Sequence, residues 1–352
     1  MHRILFDCER MKYPDTGLYH YCLNLGRYLE HHARLGSEEI CFYAPPGEQP
    51  GQSERSQHLR QHPLHKFRMP HLQHAAIWHA TYQNTHYMPF RDRRVKVVLS
   101  IHDLNFLYDD RKADWKKQKY LRHVQRLVDR ADAIVCVSEF SRTDVARHLH
   151  TGKKTVAVIH NGTNLLDAPE LGPRSYRPMK PFLFSIGVIH PKKNFHVLLP
   201  LLQRNTLELL IAGRPDDRDY LTQIRKQASR LGVSDQLHVL GTVSEKEKSW
   251  YFNHCEAFAF PSLSEGFGLP VVEAMSCGKP LFLSERNALP EIGGEVSFYF
   301  RNFEPEHMQQ VFATGMSQFT DLSFRQRIRE RSLSFNWHRA AKRYWDVYRS
   351  LY

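Results

Sequence analysis

The sequence predicts an α/β protein built on two doubly wound parallel sheets. Short runs rich in β-branched and aromatic residues alternate with longer segments of helical periodicity, the pattern of parallel strands covered by helices. The length, 352 residues, exceeds the roughly 250–300 at which one hydrophobic core usually stops growing, so two domains are expected. Residues 167–181 carry Pro169, Gly172, Pro173, Pro178 and Pro181 with little apolar content, and read as a linker between two series of strands.

In the first series, residues 3–6, 40–43, 76–79, 96–101, 133–137 and 155–159 read as strands. Leu18, Cys22, Leu25 and Leu29 recur at helical spacing and give one buried stripe. The second series places strands at 182–186, 208–212, 236–240, 257–260 and 280–283. Residues 47–63, polar and rich in Gln, Ser and Pro, read as a mobile loop, and no internal repeat is visible. The expected organisation is a first domain over 1–168, a linker over 169–181, a second domain over 182–335 and a terminal segment over 336–352. Ligands of such sheets sit beyond the carboxyl ends of the strands, and a cleft between the two domains is where function is expected.

Composition narrows the classes. Hydrophobic residues make up 41% and charged residues 24%, an ordinary globular mixture, and no apolar run approaches bilayer length. Met1-His2-Arg3-Ile4-Leu5-Phe6-Asp7 reads as a first strand rather than a signal segment. Six scattered cysteines without a Cys-x-x-Cys pair suit reduced, buried thiols in the cytosol. A formal charge of +12 raises nucleic acid, anionic membrane and phosphate-bearing substrates as partners. A nucleic-acid module would interleave aromatics with Lys and Arg, and none is visible.

The most informative segment is Phe260-Pro261-Ser262-Leu263-Ser264-Glu265-Gly266-Phe267-Gly268-Leu269-Pro270-Val271-Val272-Glu273-Ala274-Met275. It leaves a strand, passes through glycines and enters a short helix with Pro270 in its first turn. Backbone N–H groups around Gly266, Phe267, Gly268 and Leu269 would form an anion pocket at the helix start. The two flanking carboxylates, Glu265 and Glu273, suit hydrogen bonds from sugar hydroxyls rather than phosphate. A plain strand–turn–helix connection is the bland alternative for a glycine pair alone; two glutamates and the proline in this context argue against it.

This segment resembles the Glu-x7-Glu signature of glycosyltransferase family 4, the retaining group with the GT-B fold of two Rossmann-like domains. Asp15-Thr16-Gly17-Leu18-Tyr19 resembles its N-terminal glycine loop, and Ser100-Ile101-His102-Asp103-Leu104 its His-Asp strand end. Val137-Ser138-Glu139-Phe140-Ser141 resembles its Val-Ser-x-Phe-Ser turn, and Ile159-His160-Asn161-Gly162 its Asn-Gly before the linker. Gly187-Val188-Ile189-His190-Pro191-Lys192-Lys193-Asn194 is similar to the basic loop that opens the donor domain.

The resemblance implies the roles. Lys193, helped by Lys192, pairs with the donor pyrophosphate beside Gly187; Glu265 holds hydroxyls of the transferred sugar and Glu273 the ribose. Gly17 offers its N–H to phosphate from the opposite domain, and His102, with Asp103, orients donor and acceptor hydroxyls. Val188 stands where the family often has arginine, which leaves open whether Lys192 takes over that charge. The terminal helix after Phe335-Asn336-Trp337-His338 crosses back to the first domain, burying Trp337 where the chain turns. Transfer with retention, by front-face departure and attack, is implied in the same way.

No metal or other cofactor is expected. Asp217-Arg218-Asp219 reads as a solvated polar turn, and the histidine-dense stretch (His58, His62, His65, His71, His74, His79, His86) reads as mostly surface. Residues 111–130 form a basic amphipathic helix, with Tyr120, Val124, Leu127 and Val128 on one face and Lys116, Lys117, Lys119, Arg122 and Arg126 on the rest. A solvated flank is its first reading; approach to anionic lipid or a pyrophosphate-linked acceptor, through Lys116 and Lys117, is the second. The expected protein is cytoplasmic, with peripheral membrane contact as the second reading. It is a hexosyltransferase of bacterial surface polysaccharide or lipopolysaccharide synthesis, with GDP-mannose as the first donor to try. A GT-B sugar-nucleotide epimerase and a basic nucleic-acid-binding protein are the competing readings.

Overall fold

The computed structural model describes every residue except 1, 15, 34–37, 52–55, 71, 73–74, 165–171 and 204. The chain divides into two compact units. The first is Met1–Gly162 with Phe335–Tyr352; the second is Thr163–Ser334.

The first unit is built on strands β1 (Arg3–Asp7), β2 (Glu39–Ala44), β3 (Gln57–Arg60), β4 (Ala75–Ala80), β5 (Lys96–Ile101), β6 (Ala133–Cys136) and β7 (Thr155–Val158). They lie in the order β3-β2-β1-β4-β5-β6-β7, all parallel. The second unit holds β8 (Phe182–Ile186), β9 (Glu208–Ala212), β10 (Leu237–Gly241), β11 (Ala257–Phe260), β12 (Leu281–Ser284) and β13 (Phe298–Phe300). Their order is β10-β9-β8-β11-β12-β13, again all parallel. Both sheets are doubly wound, and in each the direction of winding reverses beside the first strand. That switch point, β1/β4 in one unit and β8/β11 in the other, opens a crevice at the carboxyl ends.

The central strands are legible because helices cover both faces, so β6 and β11 are apolar throughout and β5 and β9 nearly so. Two strands depart from the sequence expectation. Residues 47–63 are not simply a loop: Gln57–Arg60 pairs with β2, Cys41 opposite Gln57 and Ala44 opposite Arg60. It is an edge strand with mostly exposed side chains, so it carries no apolar signal. β13, only three residues long, pairs with β12 and was also not expected.

Helix α1 (Gly17–Ala33) starts where Thr16 Oγ1 accepts the Tyr19 N–H at 3.3 Å, and it buries Cys22, Leu25 and Leu29 of the expected stripe, with Leu18 in its first turn only half-buried. Helix α2 (Asp114–Arg130) begins later than residue 111 and buries Val124, Leu127 and Val128. Tyr120 does not join them. It is 39% exposed and packs against Phe106 and the Lys112 ammonium at the surface. Helix α3 (Glu139–His148) is capped by Ser138, whose hydroxyl accepts the Ser141 N–H at 3.0 Å.

The helix Trp337–Arg349 completes the first unit through buried polar contacts. His79 is fully buried, against the expectation of a surface histidine, because its ring bridges Tyr348 Oη (2.7 Å) and Ser100 Oγ (2.8 Å). Ser100 also meets Tyr344 Oη at 3.0 Å, and Tyr21 Oη meets Tyr344 Oη at 2.7 Å. Trp345 Nε1 donates to the Leu29 carbonyl at 3.2 Å. Trp337 is buried against Gly162, where a Cβ would stand 2.1 Å from the Trp337 backbone nitrogen. Gly162→Ala is therefore expected to lower unfolding stability by about 1–3 kcal/mol. Urea denaturation checks this, and an unchanged midpoint would show that the helix is not seated there.

Candidate active site

In the second unit the switch-point loops hold most of the candidate residues. β8 ends at Gly187 (φ +151°), whose N–H donates to the Ala212 carbonyl at 2.9 Å. A Cβ on Gly213 (φ +138°) would lie 1.9 Å from the Gly187 carbonyl oxygen, so the loops after β8 and β9 can approach only with glycine there. Val188 is half-buried in this loop. His190 then caps a tight turn, Pro191–Lys193, closed by Asn194 in the left-handed conformation. Lys192 is exposed.

β11 leads into the loop that ends at the glycine pair. The Leu263 N–H donates to the Lys192 carbonyl at 2.7 Å, and this bond sets the two loops side by side. Lys193 Nζ consequently pairs with Glu265 Oε1 and lies 4.7 Å from the centre of the Phe260 ring. Ser262 Oγ donates to the same carboxylate at 2.6 Å. The two charged side chains are only 12% and 15% exposed, so water screens them weakly. Burial pushes the Glu265 carboxyl up, but Lys193 and Lys192 more than offset it and hold it below the ordinary carboxylate value, ionised at neutral pH.

Helix α4 (Arg218–Arg230) is opened by Asp217, whose side chain accepts the Tyr220 N–H at 2.9 Å. The Asp-x-Asp is thus a helix start rather than a free turn. Helix α5 (Glu245–His254) begins at a capping box of Ser244 and Glu247. Helix α6 (Leu269–Ser276) follows Gly268 (φ +103°), with Phe267 buried and Leu269 half-buried. Gly266 is buried too, and no side chain caps α6.

Glu273 on α6 is held by a residue the sequence reading missed. Lys248, nearly buried on α5, bonds Glu273 Oε1 and Glu245 Oε2, each at 2.8 Å. Burial pulls that lysine down, and the two carboxylates override it to raise its pKa. Lys248 hides in the run Glu245-Lys246-Glu247-Lys248, which looks like a solvated face. The Ser244/Glu247 box was the available signal, because it fixes the helix phase and turns Lys248 inward with Phe252.

The first unit carries the remaining candidates. His102 follows β5, 8% exposed. Its Nε2 bonds the Thr81 carbonyl at 2.9 Å, its N–H donates to Gln83 Oε1 at 3.1 Å, and its carbonyl accepts from Ser141 Oγ at 2.7 Å. The Tyr21 ring meets it edge-on at 4.5 Å. Burial lowers its pKa to about 4, so the imidazole is neutral; with Nε2–H given to a carbonyl, Nδ1 keeps the lone pair. Asp103 Oδ1 accepts the Asn105 N–H at 2.9 Å and shapes the next turn. Gly17 is the exposed first residue of α1, while Asp15 lies outside the described residues. Lys116 is exposed and Lys117 half-buried on α2. Of the histidine-dense stretch, His58, His62 and His86 are exposed and His65 half-buried; His71 and His74 lie outside the described residues. Among the described residues no group of three or more His, Cys, Asp or Glu could hold a metal ion, and all six cysteines are buried free thiols.

Residues 173–330 match the sequence model of glycosyl transferases group 1, and residues 20–165 that of Glycosyltransferase Family 4. The chain is a family 4 glycosyltransferase of the GT-B type. This glycosyltransferase is 26% identical to the O-antigen chain mannosyltransferase B of Escherichia coli over 99% of its own length and 100% of the relative's. Its fold matches sucrose-phosphate synthase of Thermosynechococcus elongatus (TM-score 0.80, 18% identity, 100% and 99% of the two chains). It also matches Anabaena Alr3699/HepE in complex with UDP-glucose (TM-score 0.75, 18% identity, 99% and 100%).

Two buried histidines give the glycosyltransferase a pH dependence. Burial holds His79 near 3 and His102 near 4, against an ordinary value of 6.5. The unfolded chain takes up both protons below about pH 6.5 and the fold does not, so stability drops as pH falls from there toward 4. The slope approaches ~1.4 kcal/mol per pH unit for each histidine. Urea midpoints between about pH 7 and pH 5 test this; a flat profile would mean that the rings are protonated in the fold.

Proposed function

We propose that the protein moves a hexose, with retention, from a nucleotide-diphosphate sugar to a saccharide or lipid-linked acceptor in O-antigen or lipopolysaccharide synthesis. The observation that carries this reading is the sheltered Lys193–Glu265 pair at the β8/β11 switch point, beside a glycine-lined helix start. Lys193 neutralises the charge that grows on the pyrophosphate as the sugar leaves, with Lys192 adding charge where Val188 cannot. A fixed cation facing developing charge in a poorly screened site lowers the barrier by several kcal/mol. Glu265, ionised, accepts hydrogen bonds from hydroxyls of the transferred sugar, and Glu273, steadied by Lys248, accepts those of the ribose. His102 contributes a neutral acceptor nitrogen toward sugar hydroxyls. No metal is assigned a role.

GDP-mannose is the first donor to test, supported by the O-antigen chain mannosyltransferase relative; the bound UDP-glucose of the Anabaena neighbour supports a nucleotide sugar more broadly. No helix among the described residues is long and apolar enough to cross a membrane. Contact with an anionic membrane surface is carried by α2, where Trp115 is 64% exposed beside exposed Lys116, Lys119, Arg122 and Arg126.

A thermal-shift panel of nucleotides and nucleotide sugars tests the reading. A ligand at a hundred times its Kd adds about 2.7 kcal/mol of stability, so one nucleoside diphosphate series is expected to stand out. A response to oligonucleotides alone would sink it, and release of free nucleotide without acceptor would favour an epimerase. Glu265→Ala and Lys193→Ala are each expected to cut transfer about a hundredfold or more while the fold survives. Wild-type turnover in either purified variant refutes the role given to that residue.

A further inference from the structure

The first unit has a switch point of its own, and β1 delivers to it an arginine that has no counter-ion among the described residues. The turn Glu9–Lys12 follows β1 and carries Arg10. The Arg10 guanidinium carbon lies 4.6 Å from the centre of the Tyr13 ring and 4.5 Å from that of Tyr82, the residue just beyond β4 and Thr81. The group is therefore held by two rings.

The neighbouring carboxylates are engaged elsewhere. Glu9 Oε1 accepts from Lys12 Nζ at 2.8 Å and Glu9 Oε2 from Thr85 Oγ1 at 2.9 Å. Asp7 Oδ1 accepts the Glu9 N–H at 2.9 Å, and Asp7 Oδ2 faces Thr85 Oγ1 at 3.3 Å. Burial, reinforced by Glu9, raises the Asp7 pKa well above the ordinary carboxylate value. Among the described residues Arg10 Nε is buried without a hydrogen-bond partner, and no carboxylate pairs with the side chain. Cation–π contact with two rings satisfies none of the five N–H donors. A half-buried guanidinium in that condition gains most from an anion brought by a ligand.

We propose that Arg10, clamped between Tyr13 and Tyr82 at the β1/β4 switch point, receives an oxyanion, phosphoryl or carboxylate, carried by the acceptor. The planar fork of a guanidinium matches both groups with two parallel hydrogen bonds. Tyr13, 43% exposed, leaves the clamp open to solvent on one side. The positive charge also contributes to depressing the His102 pKa, which sets the clamp within electrostatic reach of that ring. The word acceptor rests on the transferase reading; the anion site itself does not.

The test uses the full chain and the side-chain Nε–H resonances of arginine in 1H–15N spectra. Ring currents of the two tyrosines single out Arg10, and Arg10→Lys confirms the assignment by removing its signal. Methyl phosphate and methyl glucuronide are titrated separately. A saturable shift of the Arg10 signal with methyl phosphate alone identifies a phosphoryl group; with the glucuronide alone, a carboxylate. Tyr13→Leu, a surface change that leaves the core intact, is expected to weaken the midpoint severalfold and keeps the test informative should Arg10→Lys not fold. An Arg10 signal that moves with neither probe overturns the proposal and makes the clamp purely structural. Oxyanion binding without any transfer from the nucleotide-sugar panel would sink the transferase reading and leave this site standing.

Discussion

A lysine and a glutamate screened from water need each other, and the second unit is arranged around that need. Either charge alone in such a place would cost several kcal/mol. The pairing depends on one backbone bond, Leu263 N–H to the Lys192 carbonyl, which fixes the spacing of the loops. It also depends on Gly187, where a Cβ would stand 3.0 Å from Lys193 Cε and displace the side chain. The bend that places the lysine ends in Asn194, a non-glycine residue at φ +57°, held there by a buried environment. Charges fixed in this way before a ligand arrives need no reorganisation when it does.

The motifs that carried the sequence reading have separate mechanical jobs in the fold. Val137-Ser138-Glu139-Phe140-Ser141 is a helix start whose second serine reaches across to hold the His102 carbonyl. Asn161-Gly162 is the narrow place that admits Trp337. His102 itself is held by a backbone carbonyl, a glutamine and a serine, which settles its tautomer and leaves the Nδ1 lone pair unprotonated. Apart from the Ser138 cap, these contacts join residues far apart in sequence, so the motif residues could be recognised as a set while their division of labour could not.

What was legible followed burial. Strands covered on both faces announced themselves as apolar runs, and the stripe of α1 fell at the expected spacing. The edge strand Gln57–Arg60 has no buried face to write into its sequence. Tyr120 was assigned inward by periodicity alone, but it stays at the surface, where Phe106 and the Lys112 ammonium take the ring. His79 was counted among a mostly surface set of histidines because no metal-ligand spacing appears there, whereas the hydroxyls of Ser100 and Tyr348 bond both ring nitrogens and make its burial tolerable. Lys248 and Arg10 were invisible for a common reason: each is an ordinary charged residue in a charged stretch, and only the fold reveals what surrounds it.

The first unit closes with a helix drawn from the far end of the polypeptide, while the second is continuous in sequence. Synthesis therefore delivers the two in inverted order. The first unit leaves the ribosome with Tyr21, His79 and Ser100 still lacking their tyrosine partners, and the second has all its strands in hand before residues 337–349 are made. A polypeptide truncated before Trp337 would spare the second unit and leave the first with an open, polar-lined seam.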